Sequence, residues 1–308
     1  MSVPKPRLHV LLPTMGSAGD VHPFIALGVA LNARGHRATI LTNPIFQALI
    51  EAQGLGFLPV GTAAEANAAI ANPELWHLRK GFKVIAQVIV PAIAEIYRSI
   101  EKHADDRTVV AFSSLAFGAR VAQEKLGVPS ASVHLQPSVI RTFADQGMMG
   151  NIRLSASRPK WFKQGLFRLI DALIVDRRIK EPLNSLRATL GLPPVDRVMH
   201  RWVHSPQLVI AFFPEWFAAA QPDWPPNTHT VGFPLWDADG APALLAGSRG
   251  ERARQPQRAR AQPEFADRKR SRRASCRSRK SDESRSETPC APGPRFRKTQ
   301  RWCGPRLL

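Results

Sequence analysis

Residues 8–44, LHVLLPTMGSAGDVHPFIALGVALNARGHRATILTNP, place a short apolar run, a turn of small residues, a helical pattern and a second apolar run in succession. That order is the order of a βαβ unit, two parallel strands joined by a crossover helix. Phe24, Leu27, Gly28 and Leu31 recur at the spacing that puts side chains on one helix face, Pro23 suits a first helical turn, and Gly35 suits a C-terminal stop. The spacing predicts a helix that begins just after Asp20. Gly16 and Gly19 let the backbone turn tightly ahead of it, and the free N–H groups of the helix start favour anionic or polar groups in the same space.

Outward from this unit, apolar runs and helical patterns keep alternating as far as Val231. Strands are expected at Leu8–Leu12, Arg37–Thr42, Phe57–Val60, Val109–Phe112, Ser130–His134, Leu208–Phe212 and Thr228–Val231. Helices are expected near 22–34, 44–53, 79–103, 117–126 and 160–190. The alternation predicts an α/β fold of βα units around a mostly parallel sheet.

Open α/β sheets bind ligands beyond the carboxyl ends of their strands, and several polar residues fall there. Asp20 follows the first strand, where a carboxylate can accept a proton from a substrate hydroxyl or, alternatively, cap the helix. His22 lies two residues on, either in the cleft or as a surface or capping group, and His134 ends a later strand. Ser113 and Ser114 end another, as pocket-lining or capping residues. A dinucleotide site fits poorly: the turn Gly16-Ser17-Ala18-Gly19-Asp20 is not G-x-G-x-x-G, and Asn43 stands where a ribose-binding acid is expected.

GSAGDVHPFIALGVALNARGH at 16–36 resembles the opening motif of the GT-B glycosyltransferases, the group of sterol glucosyltransferases, macrolide and glycopeptide glycosyltransferases and bacterial lipid rhamnosyltransferases. LTNPIFQALIEAQGLGFLPVG at 41–61, LAFGARVAQEKLGVPSASVHLQPS at 115–138, EPLNSLRATLGLPP at 181–194 and AFFPEWFAAAQPDWPPNTHTVGFPLWD at 211–237 resemble later blocks of the same N-terminal domain. The resemblance implies a Rossmann-like, doubly wound parallel sheet, the N-terminal acceptor-side half of a GT-B fold, over residues 1–235. It also implies metal-independent, inverting transfer of a sugar from a nucleoside diphosphate, a substrate rather than a cofactor, to a hydroxyl of a lipid, sterol or natural-product acceptor. Asp20 takes the place of the general base, with Gly16, Ser17 and Gly19 lining the cleft, and His22 and His134 as further substrate-binding candidates.

Two segments point to other partners. Trp161, Phe162, Phe167 and Leu169 alternate with Arg158, Lys160, Lys163 and Arg168, a basic and apolar stretch suited either to an anionic membrane surface or to packing on its own domain. Residues 241–308 hold 19 of the 43 Lys and Arg, 6 of the 24 Asp and Glu, and all three cysteines, with no helical or strand period. Such a segment is expected to be disordered, so that residues 236–308 together make a hinge remnant followed by a basic tail. An out-of-frame origin suits its composition better than a nucleic-acid-binding arm, and the H-x-G-G-x-G-T pattern of a donor-binding domain is absent from it. From this content the 308-residue chain is expected to lack transferase activity, leaving acceptor binding or a partner-subunit role as the alternative. The thiol-free first 240 residues and an N-terminal apolar run too short for a signal peptide suggest a cytoplasmic protein, and no run reaches the ~18 apolar residues of a membrane span.

Overall fold

A computed structural model describes residues 6–77, 80–144, 147–149, 152–154 and 158–236; the expectations for the basic segment at 241–308 lie outside these residues. Seven strands form one sheet: β1 (His9–Pro13), β2 (Arg37–Thr42), β3 (Gly56–Pro59), β4 (Thr108–Ser113), β5 (Ser130–His134), β8 (Leu208–Ala211) and β9 (Thr228–Thr230). Their order is β3-β2-β1-β4-β5-β8-β9, and every neighbouring pair is parallel. Two three-residue strands, β6 (Gly147–Met149) and β7 (Ile152–Leu154), make a separate antiparallel hairpin that the sequence reading did not anticipate.

The apolar runs of a parallel sheet are buried on both faces, and alternation along each run divides the core in two. Leu11, Val110 and Phe112 point to one side, where α4 (Gly81–His103), α5 (Phe117–Leu126) and α7 (Arg177–Thr189) cover them. Val10, Leu12, Ile40 and Ala111 point to the other, under α1 (Ala18–Ala33) and α2 (Gln47–Ala52). Helix α3 (Ala63–Ala71) follows β3, and α6 (Lys160–Ile170) runs into a wider π-helical segment at Asp171–Asp176 before α7. The expected single helix at 160–190 is therefore three consecutive helical pieces.

Chain order leaves the sheet centre in opposite directions. From β1 the strands step outward through β2 to β3, then return to β4 and step the other way. The crevice between the carboxyl ends of β1 and β4 is the switch point at which such sheets receive ligands.

Candidate functional site

The turn between β1 and α1 occupies that crevice. Helix α1 starts at Ala18 with Ser17 as its N-cap, three residues ahead of the expected start after Asp20. Asp20 is thus neither the cap nor outside the helix but a residue of the first turn. Its Oδ2 accepts hydrogen bonds from the Ser17 amide at 2.8 Å and the Ser17 hydroxyl at 3.2 Å, while the Thr14 hydroxyl donates to the Asp20 carbonyl at 3.1 Å. Among the described residues Oδ1 has no hydrogen-bond partner.

Gly16 makes this geometry possible. Its φ of 138° is open to glycine, and a Cβ at that position would overlap the Asp20 carboxylate. Gly19 differs, since a Cβ there would meet only the Ser17 hydroxyl, at 3.7 Å. Burial pushes the Asp20 carboxyl above the usual aspartate value of 3.8, against the opposing effect of the Ser17 hydrogen bonds. Across the crevice the Met15 amide donates to the Ser113 hydroxyl at 3.3 Å, which ties the turn to the end of β4.

Of the other expected site residues, His22 lies two residues further along α1, half-buried, with its ring 5.0 Å from that of Trp236. His134 belongs to a different cluster. It is fully buried at the end of β5, with Nδ1 2.9 Å from the Ser114 hydroxyl and Nε2 2.8 Å from Nδ1 of His204. Burial holds both histidines below their ordinary value, His204 down to about 4, so the relay consists of neutral rings. With one proton per ring, the chain runs either from Ser114 to His204 or the reverse. In the reverse sense the Ser114 hydroxyl proton is left free for a ligand.

Sequence reading missed Thr14, whose signal is its place just after an apolar strand, and His204, which nothing local to residue 204 distinguishes. Asn43 is consumed locally: its Oδ1 accepts from the Ile45 amide at 3.0 Å and its Nδ2 donates to the Thr62 carbonyl at 2.9 Å. Neither amide atom is left to stand in for a ribose-binding acid.

The profile described as Glycosyltransferase family 28 N-terminal domain matches residues 10–144. Glycosyltransferase GtfE of Amycolatopsis orientalis is 30% identical over 232 residues, covering 70% of this chain and 53% of the relative. O-mycaminosyltylonolide 6-deoxyallosyltransferase of Streptomyces fradiae is 26% identical over 242 residues, covering 76% and 56%. Sterol 3-beta-glucosyltransferase UGT80B1 of Arabidopsis thaliana is 30% identical over 134 residues, 40% of this chain and 22% of that protein. The chain spans about half the length of the first two. Among solved structures, the glycotransferase of kitacinnamycin superposes with a TM-score of 0.52 at 19% identity, over 83% of this chain and 55% of that one, and shares the fold.

Proposed function

We propose that the described residues, of which 10–144 match the glycosyltransferase family 28 N-terminal domain, form the acceptor side of a nucleotide-sugar-dependent transferase in which Asp20 is the base. The acceptor is a hydroxyl-bearing apolar molecule of the natural-product or sterol class, as the names of the relatives suggest. In the reaction the acceptor oxygen attacks the anomeric carbon while its proton passes to Oδ1 of Asp20. The bond from that carbon to the nucleoside diphosphate breaks on the opposite face, the diphosphate leaves with the electron pair, and configuration inverts.

The observation that carries this reading is the division of labour within one carboxylate. Ser17 fixes Oδ2, and among the described residues Oδ1 is left unpaired at the switch point of the sheet. A raised carboxyl pKa also makes the group a stronger base than a solvated aspartate. Gly16, Ser17 and Gly19 keep the approach to it free of large side chains. A second reading is acceptor binding without turnover, which the acceptor-side residues can supply by themselves.

The test combines the full chain with UDP- and dTDP-sugars and a panel of sterol, macrolide and glycopeptide aglycones, following both product and acceptor binding. Any transfer should fall by roughly a hundredfold or more in Asp20→Asn, with acceptor binding retained. Its acid limb should lie above pH 3.8, because burial makes the carboxyl keep its proton to higher pH and the base is the ionised form. Transfer untouched by Asp20→Asn removes Asp20 from the mechanism; acceptor binding with no transfer selects the second reading.

A further inference from the structure

The stretch that runs from Arg158 through the π-helical segment sorts its side chains in a way its sequence does not reveal. Phe167 and Lys163 turn inward, 5% and 0% exposed, and so does Asp171 at 1%, paired with Arg141 at 2.6 Å. Trp161, Leu169 and Leu173, each four or eight residues from the next, lie outward at 72%, 55% and 58%, with Phe162 and Ile174 beside them. Arg158, Lys160, Arg168 and Arg177 are exposed around them, and Asp176 is only partly exposed. The acids of the segment are thus withdrawn while the apolar residues and cations share the surface.

We infer that α6 and the π-helical segment form a docking face for an anionic lipid bilayer, lying in the plane of the interface. A helix whose apolar side carries Trp, Phe and Leu and whose flanks carry Arg and Lys inserts its apolar side roughly 5–10 Å into the headgroup region, and its cations meet lipid phosphates. Trp161 to Ile174 spans about 20 Å at helical rise, long enough for several headgroup contacts and far shorter than a span. None of the described helices is long and apolar enough to cross a membrane. The face is anchored to the rest of the molecule through the Arg141–Asp171 pair and the Phe143–Phe167 ring contact at 5.7 Å, both in the connection that leaves β5. Charge selects a bilayer over an uncharged apolar partner: a neutral partner would leave four exposed cations without a counterpart.

The basic residues at 241–308 give anionic vesicles a separate, purely electrostatic attachment, so the deciding readout is apolar. The full chain is floated with phosphatidylcholine and with mixed phosphatidylcholine–phosphatidylglycerol vesicles at high salt, beside Trp161→Ser/Leu169→Gln/Leu173→Gln. Wild type should partition onto the phosphatidylglycerol vesicles, and the triple variant should lose roughly tenfold or more of that partitioning while keeping its circular dichroism. Equal partitioning of the two, absence of wild-type partitioning, or a wild-type dimer that the triple variant abolishes each overturns the inference. Should the triple variant misfold, lipids brominated in the acyl chain replace it as the probe. They should quench wild-type tryptophan fluorescence more than that of Trp161→Ser, whose single change falls on a largely exposed ring, and equal quenching overturns the inference.

Discussion

At the scale of single residues, the turn between β1 and α1 is built around one contact that no side chain can interrupt. Gly16→Ala would force a Cβ into the Asp20 carboxylate and hold alanine at a φ of 138°. The expected cost is ~1–3 kcal/mol of stability, and the displaced carboxylate should also lower any transfer activity. Thermal unfolding and product formation measured on the same preparation check both; Gly19→Ala, with open space at its Cβ, is the control that should change stability far less. The place of Asp20 beyond the first strand, in a turn opened by glycine, was legible in the sequence because a run of small residues separates an apolar run from a helical pattern. Its state was not. Whether it caps the helix or lies within it depends on where Ser17 ends the turn, a matter of one hydrogen-bonding step. The His134–His204 contact could not be read at all, since it joins the ends of segments 70 residues apart.

At the scale of elements, the seven strands were legible because each is a short β-branched or apolar run bounded by glycine, proline or a polar turn, and the structure moves their ends by one residue at most. Helix α3 was overlooked for a physical reason: AAEANAAIA has no apolar stripe and buries little beyond Ala66. Its start was nevertheless written in Thr62 and Glu65, which exchange the cap hydrogen bonds, Thr62 accepting from the Glu65 amide at 3.2 Å. Along Arg158–Leu169 the period separates two faces but does not say which faces water, and the structure puts Phe167 and Lys163 inside. Helix packing also makes a measurable distinction between two glycines. A Cβ at Gly118 would overlap the Ile93 carbonyl of α4 and approach the Ile96 Cβ to 2.9 Å, whereas one at Gly28 would meet side-chain methyls alone, those of Leu55 at 3.0 and 3.1 Å and one of Leu12 at 3.4 Å. Gly118→Ala should therefore destabilise by ~1–3 kcal/mol, since backbone cannot step aside. Gly28→Ala should be close to neutral, because a leucine side chain can turn and alanine gains up to ~1 kcal/mol of helix propensity. Urea unfolding of the two variants side by side checks the contrast.

For the whole molecule, buried neutral histidines set the response to acid. His200 and His204 are held down to about 4 by burial, and His134 is lowered as well, against an unfolded value of 6.5. Below pH 6.5 the unfolded chain takes up protons that the folded one refuses, so stability should fall from pH 6.5 towards 4 and level off above 6.5. Asp20 and Asp176, whose carboxyls are raised by burial, work in the opposite sense at the acid end and soften the loss. Melting temperatures across this range check the sign, and His204→Phe should flatten the slope; a flat profile in the unaltered chain would contradict it. The sheet order has a further consequence, in time rather than in energy. Strand β1 pairs on one side with β2, next along the chain, but its other edge waits for β4, whose Thr108 stands opposite His9. During synthesis the central strand therefore leaves the ribosome with half its hydrogen bonds unmet until some hundred residues have followed it. Closing so long a loop is slow, and until it closes the open edge of β1 is exposed to pairing with the wrong strand.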